Sequence, residues 1–371
     1  MEHVFTYCVP CLFGLEGIAA DELRRLKLEN VRAENGRVFF DGDLAALARA
    51  DLNLRTGERV LLRLGAFPAD SFEALYQGVL ALPLEDFIPR DGQFPVKGHS
   101  LNSQLHSIPD CQKIIKKAAA DRLGRHYGLT RLPETGTLYQ LQFSIMKDQV
   151  ELFLDTTGPG LHKRGYRAVG NDAPLRETLA AAMVILTKYR GRDAFLDPMC
   201  GSGTIAIEAA LIAKNRAPGL LRSFAAQKWD FLPAQLWQQA RTEALDREFH
   251  GDYRIFASDI DDKSLSIAMS NAKKAGVAEM IRFDLADAAK RAIPQGPGVL
   301  VCNPPYGERM MELRAARDLY RRVGQHLAPC GDWKQYILCS DEEFEDYYGR
   351  KCTKKRKLYN GMIRCNYYMY Y

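Results

Sequence analysis

Ala194-Phe195-Leu196-Asp197-Pro198-Met199-Cys200-Gly201-Ser202-Gly203-Thr204 runs from a short apolar strand through a glycine-rich turn into a helix. Two glycines one residue apart let the backbone turn sharply and approach a ligand without side-chain interference. A helix that starts at Thr204 then aims its free N–H groups at that ligand. Working outward, strands are expected at Tyr253–Ser258, Met280–Phe283, Val299–Cys302 and Gln335–Cys339. They alternate with helices at Leu175–Tyr189, Thr204–Lys214, Lys263–Ala275 and Leu313–Leu327. Such alternation means a parallel sheet with helices on both faces, an α/β fold. The chain closes differently: Lys354–Tyr359, an Asn360-Gly361 type I′ turn and Met362–Tyr370 read as an antiparallel hairpin on that sheet.

The loop lacks the third glycine of a dinucleotide fingerprint, because position 206 is Ala, and it lacks the Gly-Lys-Ser/Thr of a P-loop. Asp197 would repel a pyrophosphate but suits a cationic ligand. S-adenosyl-L-methionine, with an ammonium, a sulfonium and no phosphate, meets that condition. Pro198, Cys200, Gly201, Ser202, Gly203 and Thr204 are the loop positions that would line it. Asp259, ending the next strand with Ile260 beside it, is placed to take both ribose hydroxyls. Asp287, after the third strand, can accept from the adenine amine. Asp261, Asp262 and Asp284 are competing acids, read as surface or helix-capping groups. A nicotinamide-dependent oxidoreductase is disfavoured by Asp197 and the missing glycine.

Val299-Leu300-Val301-Cys302 leads into Asn303-Pro304-Pro305-Tyr306. Two prolines directly after a buried strand stop it and stiffen its exit. An exocyclic amine on a nucleobase is a poor nucleophile, because its lone pair is conjugated into the ring. The Asn303 side-chain oxygen and the Pro304 carbonyl can each accept one N–H. That pulls the nitrogen toward tetrahedral geometry and aims its lone pair at a methyl sulfonium, while Tyr306 stacks on the base. No strong general base is needed, since the donor is activated and positioning dominates. The expected catalytic set is Asn303, Pro304, Pro305 and Tyr306, with Asn303 also beside the cofactor.

The chain has 371 residues, a length for two domains, with 47% hydrophobic and 26% charged residues. Before the α/β part, a mixture of strands and helices precedes Thr156-Thr157-Gly158-Pro159-Gly160, the best linker candidate. Residues 1–157 thus form an N-terminal α+β region, 158–174 a basic linker and 175–371 the catalytic domain. The longest apolar stretch, Leu179 to Leu186, is far short of the roughly 20 residues that span a bilayer. Nine scattered cysteines read as reduced thiols in a cytoplasm. Cys8 and Cys11 have metal-ligand spacing but no second pair, so no metal is expected. Net charge is +5, and the positive charge is concentrated: Arg90 to Arg131 holds eight Lys/Arg against three Asp. That is the footprint of a phosphate-tracking surface.

Together the loop, Asp259, Asp287 and the Asn-Pro-Pro-Tyr tetrapeptide resemble class I S-adenosylmethionine-dependent methyltransferases that act on exocyclic amines. Asn215–Trp229, Leu161–Arg167 and the tail Lys355-Arg356-Lys357-Leu358-Tyr359-Asn360-Gly361 resemble, more closely, the RlmL/YpsC-like family. Gly14-Leu15-Glu16 and the stretch from Arg49 to Asp155 are similar to that family's N-terminal region. The resemblance implies a Rossmann-like methyltransferase sheet and a THUMP domain at about 45–156. It also implies transfer to guanine N2 in large-subunit (23S) ribosomal RNA. Members are often labelled N6-adenine DNA methylases, because the tetrapeptide is shared with those enzymes.

THUMP domains bind structured RNA, so the resemblance implies an RNA partner, either large-subunit rRNA or a ribosome-assembly intermediate. Lys113, Lys116 and Lys117 fall at i, i+3 and i+4 on one helical face. They are expected to contact phosphates together with Lys97; Lys163, Arg164 and Arg167 of the basic stretch are expected to contact either RNA or the domain interface. Two other readings stay open: an adenine-N6 methyltransferase on DNA or RNA, and a non-catalytic RNA-binding assembly factor.

Overall fold

The computed structural model describes residues 4–167, 175–306, 313–327 and 329–371. In the N-terminal half, β1 (Phe5–Pro10), α1 (Glu16–Arg25), β2 (Glu29–Glu34), β3 (Arg37–Gly42), α2 (Leu44–Asn53) and β4 (Leu61–Pro68) come first. They are followed by α3 (Phe72–Leu80), β5 (Val96–Leu101), α4 (Ile108–Tyr127), β6 (Leu141–Met146) and β7 (Gln149–Asp155). The strands make one sheet in the order β2-β3-β1-β4-β7-β6-β5, antiparallel except for β5 with β6. The expected α+β mixture is therefore present. Local chemistry accounts for its turns: Asp43 caps α2 by accepting from the Ala46 N–H at 2.7 Å. Lys147 and Asp148 both take positive φ between β6 and β7, as a two-residue I′ turn requires.

The second half contains α5 (Glu177–Leu186), β8 (Ala194–Asp197), α6 (Thr204–Ala213), α7 (Ala234–Asp246), β9 (Ile255–Asp259) and α8 (Asp262–Ala275). It continues with β10 (Ile281–Leu285), β11 (Gly298–Cys302), α9 (Leu313–Leu327), β12 (Trp333–Cys339), α10 (Phe344–Tyr348), β13 (Lys354–Asn360) and β14 (Ile363–Tyr370). The sheet order is β10-β9-β8-β11-β12-β14-β13. The first five strands are parallel, and β14 and β13 close the edge antiparallel, as expected. Strand order reverses between β8 and β11, which opens a crevice at their carboxyl ends. The hairpin turn is shifted from its expected place. Asn360 pairs with Ile363, so the loop residues are Gly361 and Met362, and only Gly361 has positive φ (+64°). This is the pattern of a II′ turn, with glycine first, not the I′ turn read from Asn360-Gly361.

The two halves share their cores. Phe224, Trp229 and Trp237, which lie between β8 and β9 in sequence, pack into the N-terminal core with α2 and the first sheet. The Trp229 indole donates to the Leu138 carbonyl at 3.0 Å. In return, Leu12, Leu15 and Ile18 from the start of the chain pack into the core around α6 and α5. The start of the expected linker is bonded into a seam. Thr156 and Thr157 are fully buried, their hydroxyls donate to Asp51, and Arg222 donates to the carbonyls of Gly160 and Lys163. The part of the expected linker at 168–174 lies outside the described residues.

Candidate active site

Asp197 closes β8 and is fully buried, with no well-formed hydrogen bond to either carboxylate oxygen, only the Met199 and Ala206 amides nearby. Burial, and then the charge of Asp259, push its pKa well above the usual carboxylate range; the Met199 and Ala206 amides only partly offset this. A buried acid without a partner is costly unless something else neutralises it. The orphaned carboxylate therefore fits the ammonium of S-adenosyl-L-methionine.

The loop that follows is fixed on several sides. Cys200 N–H donates to the Ser258 carbonyl at 2.9 Å, and the Asn271 side chain donates to the Ser202 carbonyl at 3.0 Å. Gly203 sits at φ +83°, and a Cβ there would lie 2.9 Å from the Ala268 Cβ, so the position admits only glycine. Gly201 donates its N–H to Asp259 Oδ2 at 2.8 Å, and Asp259 Oδ1 accepts from the Asp261 N–H at 3.0 Å. Asp259 thus locks the loop to β9 and keeps lone pairs for ribose hydroxyls. Ile260 is 73% exposed, and Leu285, aligned with Asp259 across the β10–β9 pair, is 60% exposed. Ile260, next to Asp259, is thus a bare aliphatic side chain beside the loop.

The acids after β10 separate by their partners. Asp284 is taken by Arg291 at 2.8 Å and Arg282 at 3.3 Å. Asp287 accepts the Ala289 N–H at 2.9 Å and has only Arg322, half exposed, 3.5 Å away. Asp261 caps α8 through the Ser264 N–H, the role read for it in the sequence. Asp262 is the first residue of the same helix.

Across the crevice, Asn303 follows β11, and the Tyr306 hydroxyl donates to its Oδ1. The Pro305 carbonyl is held by the Tyr320 hydroxyl at 2.7 Å, which stiffens the second proline. The oxygen expected to receive a substrate N–H is thus held by Tyr306 until something replaces it. Cys200 and Cys302, one on each side, are buried and their thiols are pushed up by that burial. Among the described residues, no group of three His, Cys, Asp or Glu is arranged to hold a metal.

The basic candidates divide. Lys97, Lys113, Lys117 and Lys163 are exposed. Lys113 and Lys116 line an open groove of about 520 Å³ with Gln93, Pro95, Gln112 and Glu134. Lys116 is half-spent there, paired with Glu134 at 2.6 Å and seated over the Phe94 ring. Arg164 is a correction: it is 2% exposed, paired with Glu208 of α6 at 3.2 Å, and donates to the Leu161 carbonyl at 2.9 Å. Arg167 is turned inward too, donating to Thr204 Oγ1 at 2.7 Å and lying 3.3 Å from Glu177. A charge run does not reveal which of its members have a buried acid waiting for them. Both arginines bind protein, not solvent.

Three family models match the chain. They are a ferredoxin-like domain at residues 6–61, a THUMP domain at 69–155 and an RMKL-like methyltransferase domain at 164–369. The chain belongs to the RMKL-like methyltransferase family. A Bacillus subtilis relative named "Putative RNA methyltransferase YpsC" is 44% identical over 99% of this chain and 96% of its own length. "Ribosomal RNA large subunit methyltransferase K/L" of Psychromonas ingrahamii is 34% identical over 98% of this chain, which spans 49% of that longer protein. Among solved structures, a predicted N6-adenine-specific DNA methylase from Listeria monocytogenes is 46% identical, with a TM-score of 0.94 over 100% of this chain and 96% of that one. SMU.472, described as "a putative methyltransferase complexed with SAH", is 38% identical, with a TM-score of 0.94 over 100% of this chain and 99% of that one. The fold is the class I methyltransferase fold with an N-terminal THUMP domain, and S-adenosyl-L-methionine is its cofactor.

Proposed function

We propose that this RMKL-like protein transfers a methyl group to the exocyclic N2 amine of a guanosine in large-subunit ribosomal RNA. The observation that carries the reading is Asn303-Pro304-Pro305-Tyr306 at the end of β11, facing the Gly201–Gly203 loop across the reversal in strand order. S-adenosyl-L-methionine, when bound, supplies a methyl on a sulfonium. Asp197 would hold its ammonium, Asp259 its ribose, and Asp287 its adenine amine, with Ile260 beside it. Asn303 Oδ1 and the Pro304 carbonyl accept the two N–H bonds of the target amine. For that, the Tyr306 hydroxyl leaves Asn303 and its ring turns onto the base. The rigid proline exit holds the nitrogen in line, and positioning of this kind carries most of such a rate enhancement.

The THUMP match and the printed names of the curated relatives support RNA as the substrate. The DNA-methylase description of the Listeria structure favours the second reading, adenine N6. Each substrate offers an aromatic NH2, so the tetrapeptide serves both. Labelled methyl transfer to unmodified large-subunit rRNA, tRNA and duplex DNA, followed by nucleoside analysis, separates them. The proposal expects N2-methylguanosine in rRNA alone; N6-methyladenine in rRNA or DNA overturns it.

A further inference from the structure

The antiparallel hairpin does more than close the sheet. β12 ends at Cys339, opposite Asn366 of β14, while β14 continues through Cys365 to Ile363 with only β13 beside it. The hairpin therefore overhangs the carboxyl edge of the parallel strands by three residues, roughly 10 Å at about 3.3 Å per residue. This is the edge that carries Asp197, Asp259 and Asn303. The overhang is tied to the catalytic tetrapeptide: the Tyr306 hydroxyl, besides its bond to Asn303, is flanked by the side chains of Cys365 and Asn360. Asn360 is the last residue before the turn.

At the tip, Met362 is 98% exposed, the barest large apolar side chain among the described residues. One face of the overhang carries Lys357, Tyr359 and Arg364, all exposed, with Tyr359 directly opposite Arg364. The nearest acid to Arg364 is Glu342, at 4.0 Å and itself solvent-exposed. An apolar tip on a cationic, aromatic stem has no role in packing this chain. It matches what a nucleic acid requires of a protein that works on a single base. A base inside a helix must leave its stack to be modified, which costs a few kcal/mol. Apolar side chains, methionine among them, are inserted at base steps by proteins that distort helices. Cations beside them hold the flanking phosphates.

We propose that the β13–β14 hairpin is an RNA-extrusion element, with Met362 filling the space that the target base leaves and Lys357 and Arg364 holding the adjacent backbone. The occupant is a stacked or paired RNA segment, so the inference rests on the RNA-methyltransferase reading above. Asn360 and Tyr306 carry the coupling: the element that opens the stack touches the residue whose hydroxyl must leave Asn303. Met362 is thus a positioning residue, since it acts on the base's neighbours and not on the reacting nitrogen.

The test uses the full chain, S-adenosyl-L-methionine and unmodified, folded large-subunit rRNA. Met362→Ala lowers kcat roughly tenfold, the equivalent of about 1.4 kcal/mol, with KM for rRNA and affinity for S-adenosylhomocysteine unchanged. Met362→Leu, which keeps the apolar bulk, restores kcat. The pair Lys357→Ala and Arg364→Ala raises KM instead and flattens its salt dependence. Unchanged kcat in Met362→Ala and in Met362→Gly overturns the extrusion role while leaving the methyltransferase reading intact. Equal loss in Met362→Ala and Met362→Leu also overturns it. Absence of transfer to rRNA by the unaltered protein overturns both.

Discussion

In the proposed reaction Asp197 and Asn303 carry different parts of the chemistry, and substitutions separate them. Asn303→Ala removes the acceptor that orients the amine; transfer falls by about 100-fold or more, while S-adenosylhomocysteine binding, read by calorimetry, stays within a few-fold. Asp197 behaves oppositely. Its folded-state pKa is raised by burial, so free protein holds a proton there at pH values where an ordinary aspartate is ionised. A cationic ligand favours the ionised form. Binding therefore releases a proton, and affinity rises with pH through the raised Asp197 pKa. Calorimetry in buffers of different ionisation enthalpy should detect that proton, and Asp197→Asn should abolish both the release and the pH dependence. A pH-independent affinity in the unaltered protein contradicts the assignment. At this scale the sequence was most legible. Asp197, Asp259 and the tetrapeptide were readable because each ends a strand and its role depends on local backbone geometry. Sequence left Arg164 and Arg167 between RNA and interface contacts, because the partners that decide it, Glu208, Glu177 and Thr204, are distant in sequence.

α6 shows how an element can be over-determined. Every residue of Thr204–Ala213 is buried, including Glu208, so the helix lies between the sheet and the N-terminal half. Its start is held by Gly203 and by the Arg167 guanidinium on Thr204. Arg167 thereby fixes the loop that faces the cofactor from a segment that leads out of the N-terminal half. Arg167→Ala should weaken S-adenosylhomocysteine binding roughly tenfold, the size of one charge-assisted hydrogen bond, and Arg167→Lys should recover part of it. An unchanged dissociation constant would remove Arg167 from the loop's support. Periodicity found α5, α6, α8 and α9, whose patterns are local. It did not find α7 or β2. The exposed pattern of β2 has no alternation to read, and the apolar face of α7 serves a partner, α2, nearly two hundred residues away.

The whole molecule is built as two sheets whose cores exchange segments, and this was invisible in the sequence because composition marks a seam without saying what crosses it. Arg164 and Glu208 are the charged bolt of that seam, both essentially buried. Arg164→Met leaves Glu208 buried without its partner and should cost about 3–5 kcal/mol in urea unfolding, with the double variant Arg164→Met, Glu208→Gln recovering part. Additive losses would show that the pair is not coupled. Asp51, buried under Thr156 and Thr157, adds a pH dependence. Burial raises its pKa from 3.8 to about 7 in the folded protein, so the folded state holds an extra proton between those values. That contribution to stability is present at low pH and is lost as pH rises toward 7. Asp51→Asn should remove the decline, since an amide does not titrate in this range while it can still accept from the threonine hydroxyls. Parallel stability curves for the two proteins from pH 5 to pH 8 would contradict it.

The central claim is that this protein methylates the N2 amine of a guanosine in large-subunit rRNA, with Asn303 holding the amine. Its most direct measurement is the identity of the methylated nucleoside. Unmodified large-subunit rRNA would be incubated with the protein and S-adenosyl-L-methionine, digested, and analysed by mass spectrometry beside an Asn303→Ala control. The account predicts N2-methylguanosine, absent from the control. N6-methyladenosine in its place, or no methylated nucleoside from a protein that binds S-adenosylhomocysteine, would contradict it.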